Sequence, residues 1–183
     1  MKNYNEQEVI DLLKIPERQH EAFRQIVEAY SEPLYWQIRR IVLSHEDAND
    51  ILQNTFLKAW LNIDYFRGGA KMSTWLYRIA FNECLSFLNS KHQEKQVSID
   101  NVETEVLNKL ESDTYFNGDD IQKTFLKAVH QLPQKQQMVF NLRYFKEMKY
   151  EEMSEIFGTS IGALKASYHH AVKKIEDFLE KHL

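Results

Sequence analysis

Residues 150–174, which read YEEMSEIFGTSIGALKASYHHAVKK, constrain the fold of this chain more than any other stretch. Apolar side chains recur three and four positions apart in its first half, which predicts one buried face of a short helix. These side chains are Met153, Ile156 and Phe157. Gly158 then supplies a residue that can take positive φ where a helix ends, and Thr159 or Ser160 can cap the next helix. The stretch therefore predicts two helices around a tight turn.

The second helix of this pair is expected to have a buried and an exposed face. The buried side chains are Leu164, Tyr168, Ala171 or Val172, and Ile175. The exposed face combines small residues, which allow close approach to a groove wall, with lysines that can reach phosphates. It carries Gly162, Ala163, Lys165, Ala166, Ser167, His169, His170, Lys173 and Lys174. A helix-turn-helix has this pattern and places its second helix in the DNA major groove, although any helical corner packed on a third helix shows similar spacing.

The composition favours an all-α protein. The 183 residues include only 5 Gly and 3 Pro, which argues against a sandwich or a barrel. There is no apolar run long enough to span a membrane and no basic-then-apolar leader at the start. The single cysteine, Cys84, excludes an internal disulfide and fits a reducing compartment. We therefore expect a cytoplasmic protein.

The charge of the chain is unevenly distributed. A net charge of −4 argues against a protein that binds DNA through charge alone. Residues 67–95 nevertheless carry 5 basic and 2 acidic side chains, and residues 121–183 carry 10 and 7. Residues 96–120, between them, carry 1 basic and 7 acidic side chains. Two basic segments are thus separated by an acidic one.

The front half reads as a series of amphipathic helices after a loosely held tail, residues 1–16. A helix over residues 17–30 is expected to break at Ser31-Glu32-Pro33, with a new helix beginning at Pro33. Residues 47–63 form the clearest helix, whose polar face includes two leucines, Leu57 and Leu61. These leucines are either ordinary exposed residues or, beside Asp50, Gln53 and Asn54, a ridge that binds a partner.

A glycine-containing loop, residues 66–71, precedes the next helix, for which Ser73 or Thr74 is the expected cap. The loop and the helix mix basic and aromatic residues. These are Arg67, Lys71 and Arg78 with Phe66, Trp75 and Tyr77. Such a mixture suits single-stranded nucleic acid, because cations follow the phosphates while rings stack on unpaired bases. The alternative is that Phe66 and Trp75 are core residues.

The layout is therefore two small helical domains joined by a linker. The front domain spans residues 17–92, the acidic linker residues 93–120, and the back domain residues 121–183. In the back domain, helices are expected over residues 121–131 and 134–144, separated at Leu132-Pro133, because the residue before proline avoids the α region.

With this layout, several sequence blocks resemble the RNA polymerase sigma factors of the extracytoplasmic-function (ECF) group of the sigma-70 family. The front half contains DANDILQNTFLKAW, FRGG and STWLYRIAFN, and the back half contains LPQKQQMVFNLRYF and YEEMSEIFGTSIGALK. The resemblance covers roughly residues 20–92 and 121–180. It implies a protein without catalysis, cofactor or metal that directs transcription initiation. The implied partners are core RNA polymerase, through the clamp helices of its largest subunit and its flap, promoter DNA, and an anti-sigma factor in some members.

The resemblance also implies roles for individual residues. The polymerase-binding candidates are Asp50, Gln53, Asn54 and Leu57. The candidates for melting the minus-ten element and holding a base flipped out of the duplex are Phe66, Arg67, Lys71, Ser73, Trp75, Arg78 and Asn82. The candidates for reading the minus-thirty-five element are Ser160, Gly162, Ala163, Lys165, Ser167, His169, His170, Lys173 and Lys174. The acidic linker is expected to run through the RNA exit path of the polymerase.

Some positions depart from the family pattern. Ser167, His170 and Val172 stand where the recognition helix usually carries arginines, whose forks make the strongest contacts to guanine. Phe81 replaces a common basic residue, and Ser86 stands at a usual acid. The upstream promoter sequence therefore does not follow from the family.

Two other classes of function make different demands on the sequence. A stand-alone helix-turn-helix regulator would bind a symmetric operator without polymerase. An enzyme would need a phosphate-binding loop, a metal-ligand spacing or a paired nucleophile and base, and the sequence contains no recognisable example. His169 and His170 are adjacent and point to different faces of a helix, which argues against a metal site.

Overall fold

The computed structural model describes residues 4–66, 68–94 and 120–182, and within these ranges the chain is helical with no strand. The all-α fold class is thereby confirmed. The main helices are α1 (Glu6–Leu13), α2 (Gln19–Val42), α3 (His45–Leu61), α4 (Met72–Glu94), α5 (Asp120–His130), α6 (Gln134–Phe145), α7 (Tyr150–Phe157) and α8 (Ile161–His182). Short 3-10 turns cover Pro16–Arg18 and Ile63–Tyr65. The predicted acidic linker lies almost wholly outside the described residues.

The expectation that residues 1–16 are loosely held is wrong for the described part of this segment. The Asn5 side chain caps α1 by accepting from the backbone N–H of Gln7 at 3.1 Å. Val9 and Leu13 are buried where α1 packs on α2. The Tyr4 ring meets Tyr30 edge-on with centroids 5.4 Å apart. Burial of an apolar face therefore orders a segment whose composition is largely polar.

The predicted break at Ser31-Glu32-Pro33 is also wrong, because α2 continues through Pro33. A proline inside a helix removes one hydrogen bond and costs about 3 kcal/mol. The burial of Ile26 before the proline and Leu34 and Ile38 after it, all at 0% exposure, offsets that cost because the two parts share one apolar face. The Ser31 hydroxyl donates to the Val27 carbonyl at 2.6 Å.

Helices α3 and α4 complete the front half. The Ser44 hydroxyl caps α3 by accepting from the Asp47 N–H at 3.2 Å. The prediction that Ser73 or Thr74 caps α4 is wrong, because α4 begins at Met72 and both residues lie inside its first turn. The carboxylate that accepts from the Met72 N–H belongs to Glu6. This contact comes from a distant part of the sequence and left no local signal.

The back half contains the predicted helix-turn-helix, formed by α7 and α8. Gly158 ends α7 in the left-handed conformation, with φ of 61°. Ser160, the second of the two proposed caps, accepts from the Ala163 N–H at 3.2 Å. Ala171 is fully buried, whereas Val172 is only half-buried, so Ala171 is the core residue of the two. The paired helices therefore confirm the geometry predicted for residues 150–174.

The front and back halves pack against each other in this structure. One apolar cluster combines front residues such as Leu76 and Phe81 with back residues such as Met153 and Ile156. A second cluster around Val129, Phe140 and Ala171 lies within the back half. Helix α4 contacts α7, and α2 contacts α6. The division into domains at residues 17–92 and 121–183 stays a prediction.

Candidate nucleic-acid and polymerase interfaces

The predicted polymerase-binding residues share one exposed side of α3. Asp50, Gln53, Asn54 and Leu57 are all exposed, and their spacing of three and four residues places them on one face of the helix. Leu57 is 56% exposed, and Leu61, one turn further, is 68% exposed. Two large apolar side chains on one solvent-facing ridge suit a protein partner better than either would alone. Their binding role stays a prediction.

Most of the predicted minus-ten residues line one side of α4. Lys71, Trp75, Arg78 and Asn82 follow one another at intervals of four, three and four residues, which forms a single row on a helix; we call it the minus-ten row. Lys71, Arg78 and Asn82 are exposed, and Trp75 is half-buried. The Phe66 ring lies 5.0 Å from that of Trp75, so Phe66 adds a second aromatic ring beside the start of the row.

Other residues of the predicted minus-ten set are not brought to this row. Ser73 is half-buried and, two positions before Trp75, lies on another side of the helix. Arg67 lies outside the described residues. Tyr77, which the sequence grouped with the basic loop, is 1% exposed and is a core residue. Burial raises the pKa of its hydroxyl.

Lys71 already has an anionic partner in the back half. Its ammonium group donates to Glu152 of α7 at 2.5 Å. This hydrogen bond raises the pKa of Lys71 and lowers the pKa of Glu152. The Lys71 side chain is still 65% exposed, so solvent screens the pair and a competing anion can reach the lysine.

Aromatic and cationic contacts extend this junction between the halves. The Phe81 ring lies 5.7 Å from that of Phe157, and the Lys146 ammonium lies 5.2 Å from the centre of the Tyr77 ring. Burial lowers the pKa of Lys146. The Arg40 guanidinium lies 4.7 Å from the Phe145 ring centre. Phe81, which stands where the family commonly has a basic residue, is 3% exposed.

The predicted minus-thirty-five residues occupy the outer side of α8. All of them are exposed except Ser167, which is half-buried. The opposite side of α8 is buried through Leu164, Ala171 and Ile175. The set therefore forms one continuous surface, which we call the α8 outer face. Its small residues lie at the N-terminal end and two of its lysines, Lys173 and Lys174, lie three turns later.

Two lysines of the α8 outer face have contacts within the chain. The Lys165 ammonium lies 5.8 Å from the centre of the Tyr150 ring, and Lys174 donates to the Gln136 side chain at 3.1 Å. The His169 and His170 rings are 6.0 Å apart at the centroids. Among the described residues, no group of three or more His, Cys, Asp and Glu side chains is placed to hold a metal ion.

Sequence reasoning missed two residues that organise these surfaces. Glu6 caps α4, and Glu152 pairs with Lys71. Their partners lie 66 and 81 positions away in the sequence, so no helical periodicity could have indicated them. Within the described residues, no helix is both long and apolar enough to cross a membrane.

Two family models match the chain in the order of the surfaces described above. The model for sigma-70 region 2 matches residues 26–94, which include the α3 face and the minus-ten row. The model for sigma-70 region 4 matches residues 122–175, which include the whole α8 outer face. A stand-alone helix-turn-helix regulator is not favoured, because the front half has its own sigma-70 match.

Whole-chain comparisons agree with this result. The chain is 30% identical to the ECF RNA polymerase sigma factor SigW of Bacillus subtilis, over 81% of this chain and 84% of that protein. It is 27% identical to the RNA polymerase sigma-H factor of Pseudomonas aeruginosa, over 87% and 86%. The fold resembles that of the sigma factor RpoE of Bartonella quintana, solved with the anti-sigma factor NepR, with a TM-score of 0.65 and 23% identity over 86% of this chain and 96% of that one. It also resembles CnrH, solved with the cytosolic domain of CnrY, with a TM-score of 0.67 and 19% identity over 96% and 97%. Two sigma-70 regions in order and a relative of 30% identity matched over most of its length show that this chain belongs to the ECF RNA polymerase sigma factors.

Proposed function

We propose that this sigma factor assigns separate tasks to three surfaces: the α3 face to polymerase, the minus-ten row to the melted promoter, and the α8 outer face to the upstream element. Its general activity is that of its family, which is to bind core RNA polymerase and direct promoter-specific initiation. The proposal is about which residues bind polymerase and which contact each part of the promoter. The chain is proposed to act in the cytoplasm and without catalysis of its own.

The observation that carries this proposal is the exposed apolar ridge on α3. A protein that read DNA alone would gain nothing from Leu57 and Leu61 at 56% and 68% exposure. A helix that docks on another protein gains from burying them, at about 25 cal/mol for each Å² of apolar surface removed from water. The neighbouring Asp50, Gln53 and Asn54 then provide polar contacts at the rim.

The minus-ten row is suited to an unpaired strand. Arg78 and Asn82 are exposed next to the half-buried rings of Phe66 and Trp75, so cations, amide and aromatic surfaces lie along one line. Stacking on an aromatic side chain contributes about 1–3 kcal/mol per base. That gain offsets the few kcal/mol needed to extrude a base.

The packing of the two halves requires a conformational change for this function. Lys71 contacts Glu152 and Phe81 lies against Phe157, so α7 lies beside the start of the minus-ten surface. We therefore propose that the halves separate when polymerase binds. A protein partner that holds the halves together would keep the factor inactive, and the RpoE fold relative was solved with an anti-sigma factor.

Reconstituted transcription tests the proposal. The purified chain is combined with core polymerase from the source bacterium and fragmented genomic DNA, and the transcript starts are mapped. We expect starts that require the chain.

Combining Gln53→Ala with Leu57→Ala should weaken binding to core polymerase about tenfold, as for a partly apolar interface anchor.

The control for this variant is the combination of Arg24→Ala and Glu28→Ala, an exposed pair on α2 outside the three surfaces. It should bind core polymerase as the wild type does. Equal affinity of the α3 variant and the wild type would show that the polymerase contacts another surface. The absence of any chain-dependent start, together with no core binding, would refute the function itself.

A further inference from the structure

Helix α1 contacts the loop that precedes α4 at two points, its junction with α4 and its interior. At one end, Glu6 Oε1 accepts a hydrogen bond of 2.8 Å from the backbone N–H of Met72, the first residue of α4. Within the loop, Ile10 lies against Gly68, on which an added Cβ would be 3.7 Å from Ile10 Cγ2. Gly68 has a φ of 71°, a conformation that favours glycine.

The start of α4 depends on an acceptor from elsewhere in the chain. The first N–H groups of a helix have no partner within it. Lys71, which precedes α4, has no side-chain oxygen to accept from them. A carboxylate at this position both accepts a hydrogen bond and interacts favourably with the helix dipole. Glu6 provides both effects.

Glu6 lies on a capped helix that is packed on the core. The side chain of Asn5 caps α1, Val9 is fully buried, and Tyr4 packs edge-on against Tyr30. A cap attached to a packed helix can fix the position of the element that it caps, because its own position is fixed by burial. A cap on a mobile tail would only satisfy the N–H group.

The capped turn carries the start of the minus-ten row. The Trp75 N–H donates to the Lys71 carbonyl at 3.2 Å, and the Trp75 ring lies beside that of Phe66. We propose that α1, through Glu6 and Ile10, positions the loop before α4 so that the minus-ten row can hold an unpaired promoter base. Glu6 is thus a positioning residue, and the inference rests on the proposed function of that row.

The test compares Glu6→Ala, Glu6→Gln and Glu8→Ala in the holoenzyme. Glu8 lies in the same helical turn as Glu6 and is exposed, so it is the matched control. The probe is a promoter mapped with the wild-type holoenzyme, together with a series of copies in which one non-template nucleotide of the minus-ten segment is abasic. The affinity of open complexes is measured for each pair of protein and DNA.

We expect the wild type to lose affinity at the abasic position whose base it holds. Glu6→Ala should lower the affinity for intact DNA about fivefold, the effect of one helix cap. When the DNA is abasic at that position, the affinity of Glu6→Ala should fall little below its affinity for intact DNA. Glu6→Gln, whose amide oxygen can still accept from Met72, should return the affinity to within about twofold of the wild type. Glu8→Ala should match the wild type throughout.

The inference would be overturned if Glu6→Ala lowered the affinity by the same factor on intact and on abasic DNA. That result is expected of a cap that only stabilises the domain. Equal affinities for Glu6→Gln and Glu6→Ala would also overturn it. Should Glu6→Ala not fold, Ile10→Ala tests the second contact by the same comparison. If the wild-type holoenzyme yields no transcript, the proposed function itself is refuted. If the wild type transcribes and Glu6→Ala has the same promoter affinity as the wild type, only this inference is refuted.

Discussion

Individual side chains of the α8 outer face decide which contacts this surface could make in its proposed role, the reading of the upstream element. Its cations are lysines and not arginines, and its N-terminal end holds Gly162 and Ala163. Lysine contacts phosphate as a point charge, whereas the arginine fork pairs with guanine in a fixed geometry. We therefore expect this face to rely on phosphate contacts and close backbone approach more than on direct base recognition.

Lys165 provides the residue-level prediction. Its ammonium lies over the Tyr150 ring, at the edge of the α8 outer face. Lys165→Ala should reduce use of the upstream element while core binding stays unchanged, and removal of one phosphate contact should lower the salt slope of promoter binding by about 1. Holoenzyme binding to the mapped promoter at several salt concentrations measures this slope.

Lys181→Ala, near the end of α8 and outside the face, is the matched control and should leave the slope unchanged. Equal losses in polymerase binding and upstream-element use by Lys165→Ala would contradict the assignment.

At the scale of elements, helix α2 shows where local rules give way to burial. Ser31-Glu32-Pro33 reads as a break, yet the chain stays helical because Ile26, Leu34 and Ile38 lie on one buried side. Pro33 itself is exposed, so its effect is on the backbone and not on the core.

Pro33→Ala should therefore stabilise the protein. A proline inside a helix is about 3 kcal/mol less favourable than alanine, and the greater freedom that alanine gives the unfolded chain removes part of this gain. We expect the free energy of unfolding to rise by about 1–2 kcal/mol in chemical denaturation. Glu32→Ala, the exposed neighbour, should change it by less than about 0.5 kcal/mol. A less stable Pro33→Ala variant would show that the proline adds a packing contact.

The same scale shows what the sequence could and could not predict. Helices α3 to α8, the face that each buries and the turn at Gly158 follow from apolar spacing and glycine placement, which are local. The helical character of the N-terminal segment, the Glu6 cap and the pairing of Lys71 with Glu152 depend on residues that folding brings together from far apart. Most described residues of the candidate surfaces are exposed, while their binding roles stay predictions and the contacts that hold these surfaces were not predicted.

At the scale of the molecule, the junction between the halves is held partly by charge. Because the pKa of Glu152 is lowered, its stabilisation of the junction is fully present above the ordinary carboxyl pKa. This stabilisation is lost as the pH falls through the lowered pKa. The raised pKa of Lys71 means that its contribution is present below the ordinary lysine pKa and is lost as the pH rises through the raised value. Near neutral pH the pair is intact.

Glu152→Gln should therefore weaken the contact between the halves at neutral pH, to the modest extent expected of a solvent-screened ion pair. Fluorophores at Glu17→Cys and Glu180→Cys, both exposed positions, would report the distance between the 3-10 turn before α2 and the end of α8. The native Cys84 is buried. We expect lower transfer efficiency for Glu152→Gln, for the wild type in acid, and for the wild type at high salt, which screens exposed ion pairs.

Glu151→Gln is the matched control, because Glu151 is exposed beside Glu152. It should retain the wild-type efficiency and its dependence on salt. An unchanged efficiency for Glu152→Gln would mean that apolar packing around Phe81 and Phe157 holds the halves without help from the ion pair.

The pairing of Lys71 also bears on the thermodynamics of promoter capture. A phosphate that reaches this lysine has to displace a carboxylate, so one anion is exchanged for another at this position. Promoter binding should then release fewer cations than the number of lysines at the interface would indicate, and its salt dependence should be correspondingly weaker. On the role proposed for Lys71, Glu152 would act as an internal competitor whose release is linked to the arrival of the melted strand.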